Sequence, residues 1–200
     1  MKHVNIPTGL TLLRLIVSPL VLPLLIVYLG KYNFFWVNML LAFIFVLLSL
    51  TDFFDGYLAR KLDQETEIGK ALDPIADKFL VYSTLIALLA VGKIYFYWVV
   101  LLIGRDFFMM GLRQIALERD ITVSVSYLGK IKTAFQMIFL TFVIINPYQA
   151  LWFSGNGLLW NGIEAILLGV TLFLSLYSAQ KYGQFFMQLW KAQHQEPSQD

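Results

Sequence analysis

The feature that most limits this chain is its run of long apolar blocks, such as FFWVNMLLAFIFVLLSL and GIEAILLGVTLFLSLYSA. A bilayer's hydrocarbon core of ~30 Å calls for about 20 apolar residues in a helix. Inside that core every backbone polar group must be satisfied within the segment, which a helix does and an open strand does not. The blocks therefore predict an all-α polytopic membrane protein with six transmembrane helices. The expected spans are 8–29, 34–50, 69–91 with a polar first half, 95–117, 123–145 and 157–179. The second continues beyond its apolar block through Thr51 to about Arg60. Pro19 and Pro23 lie within the first, where neighbouring helices can satisfy the freed carbonyls. Of the 200 residues, 58% are hydrophobic, above the ~45–50% of soluble domains. A single domain is expected over 1–190, followed by the polar tail KAQHQEPSQD over 191–200. The segment KYGQFFMQLW before it has the aromatic–polar mixture of an interfacial anchor.

Six spans put both termini on one side. Of 15 lysines and arginines, only Lys31 and Lys93 then fall on the other side. The positive-inside rule makes the rich side cytoplasmic. The first block lacks a small-x-small cleavage site and contains Arg14, so it reads as a retained helix. The chain has no cysteine, and its two histidines, His3 and His194, lie in the polar ends. Thiolate chemistry is excluded, and a histidine base or histidine metal site is not expected.

The chemistry concentrates in a few acidic positions. Asp52, Asp55, Gly56 and Ala59 are spaced i, i+3, i+4, i+7, and Gly69, Asp73 and Asp77 are spaced i, i+4, i+8. Each set shares one helix face. A short connection over 61–68 makes the two helices antiparallel neighbours, so four carboxylates converge near the cytoplasmic surface. Such a group must either pair with cations such as Arg60, Lys61, Lys70 and Lys78 or bind divalent metal, since bare carboxylates repel. Hard oxygen ligands suit Mg²⁺ or Mn²⁺. Glycine costs ~1 kcal/mol in a helix interior, so Gly56 and Gly69 on the acidic faces call for a close approach, by a substrate or by a packed helix. Asp63, Glu65 and Glu67 read as solvated loop charges.

Residues 51–77, TDFFDGYLARKLDQETEIGKALDPIAD, match every fixed position of D-x-x-D-G-x-x-A-R-x8-G-x3-D-x3-D. This window resembles the signature of the CDP-alcohol phosphatidyltransferase family. The segments NIPTGLTLLRL, IGRDFFMMGLRQIALERD and SVSYLGKIKTAFQM are similar to the bacterial branch that makes phosphatidylglycerophosphate. Together they cover most of the first 140 residues; the last 60 carry no usable motif. The resemblance implies that Asp52, Asp55, Asp73 and Asp77 hold two Mg²⁺ or Mn²⁺ ions at the cytoplasmic end of helices 2 and 3. It further implies that Asp77 serves as base for the acceptor hydroxyl, and that Asp52, Gly56, Ala59, Arg60 and Gly69 shape the CDP site. A homodimer in the bacterial cytoplasmic (inner) membrane, acting on CDP-diacylglycerol, also follows from the resemblance. No nucleic-acid partner is expected.

Independent physical arguments agree. A pyrophosphate becomes a useful electrophile when two metals clamp it, and the positive N-terminal end of helix 3 favours Asp73 and Asp77 as anions. Arg105 and Arg113 lie eight residues apart on the fourth helix, where arginine is expensive and a functional suspect. Lys130 and Lys132 open the fifth, just after Gly129. If these cations converge on the aspartates they make a phosphate pocket suited to glycerol 3-phosphate. Asp106 offers a competing reading, as a structural ion-pair partner, and positive-inside anchoring competes for the lysines. Arg14 either joins the site or snorkels to the interface; Asn5 and Thr8 lie near its mouth. Phosphatidylglycerol, inositol phosphate and serine are alternative acceptors, the last disfavoured by the cations. A cation transporter would place its carboxylates at the bilayer midplane rather than at one surface.

Overall fold

The computed structural model describes residues 20–61, 67–118, 127–147 and 158–194. Among them the chain is all helical. Helix α1 covers 20–29 and ends in a 3-10 turn, Gly30–Tyr32; α2 is Phe35–Lys61, α3 Glu67–Ala90, α4 Phe96–Glu118, α5 Tyr127–Ile145 and α6 Leu158–His194. The expected six elements are present in order, with changed ends. Glu67 opens α3 rather than lying in the loop, and α6 runs to His194, into the stretch expected as a tail. Arg14, Asn5, Thr8 and Pro19 lie outside the described residues.

Helix α5 is the centre of the bundle. Lys132, Gln136, Phe139, Leu140, Val143 and Ile144 are all buried, a stripe at i, i+4, i+7, i+8, i+11, i+12 that faces its neighbours. It packs on α2, α3 and α6, while α4 lies against α3 and α6. Leu22 and Ile26 of α1, Phe45 of α2, Leu85 and Leu88 of α3 and Leu102 of α4 complete the main core. Hydroxyls along the helices bond back to their own carbonyls, as in Ser49 to Phe45, Thr84 to Leu80 and Thr171 to Leu167. That is how a hydroxyl is satisfied where the surroundings offer nothing else polar.

The outer faces are apolar instead. Trp36, Leu40, Phe43, Ile86, Phe96, Phe107, Ile166 and Phe173 are each largely exposed, far more than isolated surface hydrophobics of a soluble monomer. One helical stretch, Leu159–Met187, is long and apolar enough by itself to cross a membrane; shorter apolar stretches occupy Leu20–Tyr32, Phe35–Thr51, Lys78–Ala90 and Ile131–Ile145.

The end of the bundle opposite the acidic motif is tied by a buried polar knot. Helix α3 stops in a Schellman arrangement: Gly92 adopts φ 73°, its N–H donates to the Leu89 carbonyl, and the Lys93 N–H donates to that of Leu88. Lys93, buried behind this turn, donates from Nζ to the carbonyls of Ile144 and Asn146, each at 2.8 Å. A cation thus caps the C-terminal end of α5. The Asn146 amide donates to Glu164 Oε2 at 2.7 Å, and the Asn38 amide donates to the Asn146 carbonyl. The knot joins α2, α5, α6 and the α3–α4 turn.

Burial pushes the Lys93 ammonium down to about 8, partly opposed by Glu164. An unfolded chain whose lysine titrates normally holds more protons between about pH 8 and pH 10.5, so this group's contribution makes the fold more stable as pH rises through that window. The detergent-solubilised protein should show this as a rise in Tm that is lost in Lys93→Met. Identical pH slopes for the two proteins would contradict it.

Candidate active site

The two helices carrying the acidic signature are placed by packing rather than by the loop alone. Helices α2 and α3 touch each other, and both touch α5. Their backbones are helical through Asp52, Asp55, Gly56, Ala59 and Arg60 on one and Gly69, Asp73 and Asp77 on the other. Helical periodicity therefore puts each set on a single face. The side chains of residues 52–77 lie outside those described, as does that of Lys130 in the first turn of α5. Pro74 lies within α3 between Asp73 and Asp77, and its missing N–H leaves the Lys70 carbonyl without its helical donor. The donor set available for metal is wholly carboxylate, which fits a hard divalent ion.

Directly after Asp77 the described side chains begin, and the first of them leads to a buried charge cluster. Lys78 Nζ donates to Asp106 Oδ2 at 2.9 Å. Lys132 Nζ donates to Asp106 Oδ1 at 2.7 Å, and Arg105 Nη1 donates to the same oxygen at 2.9 Å. The Asp106 side chain is only 1% exposed and that of Lys132 only 2%. Arg105 is anchored from behind, its Nε donating to the Ser175 carbonyl at 2.9 Å and its Nη2 to Ser178 Oγ. Helices α3, α4, α5 and α6 all meet in this one cluster.

The charges in it do not balance. Three cations share one carboxylate, leaving two formal positive charges unmatched among the described residues. Buried charge without a partner is costly. The arrangement is therefore poised to accept further anionic groups, either motif carboxylates or a phosphate. Arg105 pairs with Asp106 as the competing sequence reading allowed, Lys132 joins it on the same carboxylate, and both still belong to a cluster with surplus charge. Arg113 is separated from the cluster, exposed near the end of α4. Three participants were not expected in this cluster: Lys78, expected only as a possible partner of the motif carboxylates, and Ser175 and Ser178. Lys78 had a signal, since it follows Asp77 directly. Ser175 and Ser178 had none, because they lie in the part of the chain without a motif.

The model of the CDP-alcohol phosphatidyltransferase family matches residues 4–177. The chain belongs to this family. Among similar members, one from Rickettsia typhi named CDP-diacylglycerol–glycerol-3-phosphate 3-phosphatidyltransferase is 36% identical over 179 residues, covering 89% of this chain and 94% of that protein. Proteins of the same name from Sodalis glossinidius and Salmonella choleraesuis are also 36% identical, covering 89% and 86% of this chain and 96% and 93% of their own. In this CDP-alcohol phosphatidyltransferase the match runs through the acidic signature, the Asp106 cluster and α6 as far as Tyr177, so Ser175 lies within the family region and Ser178 just beyond it.

Proposed function

We propose that this phosphatidyltransferase moves the phosphatidyl group of CDP-diacylglycerol to the primary hydroxyl of sn-glycerol 3-phosphate, giving phosphatidylglycerophosphate and CMP. The donor follows from the family, and the acceptor from the relatives' shared name. The observation that carries the acceptor on this chain is the cation surplus around Asp106, one of whose cations, Lys78, directly follows Asp77. A phosphate needs charge-assisted donors, and Lys78, Arg105 and Lys132 supply them. Arg113 and Lys130 would add to the field at its mouth.

In this reading Asp52, Asp55, Asp73 and Asp77 hold two Mg²⁺ or Mn²⁺ ions, which when bound neutralise the pyrophosphate and stabilise the leaving phosphate. Gly56, Ala59 and Gly69 leave room for the nucleotide against the helix backbones, with Arg60 beside it. Asp77 takes the proton from the acceptor hydroxyl as that oxygen attacks the β-phosphorus; a carboxylate suffices when proton loss accompanies attack. The cation cluster holds the acceptor's phosphate, so that its other end reaches the donor. The apolar exterior suits lipid contact, and the reading places six spans in a bacterial cytoplasmic membrane, both termini cytoplasmic, with a second copy completing a homodimer.

The test is CMP release by purified protein given CDP-diacylglycerol and, in turn, glycerol 3-phosphate, glycerol, inositol phosphate, serine and phosphatidylglycerol. Glycerol 3-phosphate should be used far better than the others. A stronger preference for any of them would replace the acceptor. In the same assay EDTA should abolish turnover and Mg²⁺ or Mn²⁺ restore it; full turnover in excess chelator, with no metal found by elemental analysis, would remove the metal from the reading.

A further inference from the structure

Three polar atoms near the Asp106 cluster are under-satisfied: Gln136 Nε2 and Ser175 Oγ have no hydrogen-bond partner, and Tyr82 Oη has only the Asp106 carboxylate within reach, which three cations already share. Such atoms are costly in a native interior and ask for an explanation. Their positions are related. Gln136 follows Lys132 by one helical turn on α5, Tyr82 follows Lys78 by one turn on α3, and Ser175 precedes Ser178 by nearly one turn on α6. Helices α3 and α5 run away from the acidic end while α6 runs toward it, so all three lie on the same, deeper side of the cation cluster. Gln136 is 3% exposed and Ser175 1%. Tyr82 is held with its ring stacked on Phe107 at 5.7 Å and its hydroxyl within electrostatic reach of Asp106 and Arg105.

This layer is not remote from the reaction centre. Ser49 Oγ of α2 approaches Met137 Sδ of α5 at 3.8 Å, which sets the two helices at one depth there. Asp52 lies three residues nearer the acidic end, a rise of roughly 4.5 Å. On antiparallel α5 that depth falls between Gln136 and Lys132. The unpartnered amide and the buried ammonium therefore bracket the level of the first motif aspartate.

We propose that Gln136 and Ser175, with Tyr82 beside them, form a hydroxyl-recognition layer that reads the secondary hydroxyl of the phosphate-bearing acceptor. The inference rests on the acceptor reading above. The Gln136 amide donates to the acceptor's middle oxygen, while the hydroxyls of Ser175 and Tyr82 donate or accept as the bound molecule requires. No charged group is needed, because the acceptor's charge is met by Lys78, Arg105 and Lys132 one turn away. A site built to hydrogen-bond a hydroxyl rejects the analogue lacking it, since its own polar groups are then left unpaired, and the discrimination reaches as much as about 10⁴-fold.

The experiment compares kcat/KM for glycerol 3-phosphate with that for 3-hydroxypropyl phosphate, which keeps the phosphate and the primary hydroxyl but lacks the secondary one. Wild type should prefer glycerol 3-phosphate strongly. Gln136→Met, of similar volume but without a donor, should lower that ratio about tenfold, the equivalent of one typical hydrogen bond. Ser175→Ala should lower it too, and provides an independent reading if Gln136→Met folds poorly. A wild type that does not distinguish the two acceptors overturns the proposal, as does full discrimination in both folded variants; the orphan atoms would then hold water only. If wild type releases CMP with neither compound but does so with an uncharged acceptor, the acceptor reading itself has failed. If wild type turns over both compounds equally well, the acceptor reading stands and the recognition layer alone has failed.

Discussion

Alanine in place of Asp52, Asp55 or Asp73 is expected to lower turnover by about 10³-fold or more, as removal of a group that stabilises transition-state charge does. The expectation rests on the contact between α2 and α3 and on the proposed reading of these carboxylates as metal ligands. Metal-dependent nucleotide binding should weaken alongside. Asp77→Asn should behave differently. If Asp77 takes the acceptor's proton, the amide costs rate far more than CDP-diacylglycerol affinity, so kcat falls while the KM for that substrate changes little. Steady-state kinetics of the four variants, with folding checked by elution profile and Tm, distinguish these outcomes. Near-native turnover in Asp77→Asn would remove it as the base, and near-native turnover in the other three would remove the metal clamp.

The second large effect is expected at the cation cluster. Arg105→Ala and Lys132→Met should each raise the apparent KM for glycerol 3-phosphate by about 10–100-fold, the range for losing one hydrogen bond to a charged group. The KM for CDP-diacylglycerol should move little, because its pyrophosphate is held elsewhere. Arg105→Lys should recover only part of the loss, since Arg105 uses its planar fork three ways, toward Ser175, Ser178 and Asp106. Asp106→Asn separates the structural from the functional share. It leaves the cations in place with less to hold them, so stability should fall, while acceptor phosphate should stabilise the variant against heat more than it does wild type. Variants of Arg105 and Lys132 that are unstable yet kinetically normal when folded would make the cluster purely structural.

Much of this was readable before the structure. Apolar blocks of membrane length fix the existence and order of helices, and the i, i+3, i+4 spacing of Asp52, Asp55 and Gly56 fixes which face is acidic. The short 61–68 connection makes α2 and α3 neighbours. The Asp106 cluster was only half readable. Arg105 beside Asp106 is a local pair, but Lys78 and Lys132 reach the same carboxylate from 28 and 26 residues away. Only the packing of α3 against α4 and of α5 against α3 and α6 brings them there. By sequence alone Gln136 is one polar residue in an apolar run, and Ser175 and Ser178 are small residues in a segment without a motif. Their meaning depends on what faces them, and periodicity does not record that. Arg113 shows what spacing alone leaves open: Arg105 is held by α6, whereas Arg113, eight residues on, is exposed.

The knot around Lys93 bears on how the molecule keeps its orientation. In the proposed topology Lys31 and Lys93 are the only cations on the outer side, and neither is bare. Lys31 lies over the Tyr28 ring at 5.2 Å, and Lys93 is folded inward onto the end of α5. The outer turns therefore present a single exposed cation, Lys31, while in the proposed topology the inner face carries the rest. A membrane potential negative inside acts on that imbalance at about 2.3 kcal/mol per charge per 100 mV. An energised membrane would then hold the protein the right way round mainly through charges at one face, with the outer face contributing little beyond Lys31.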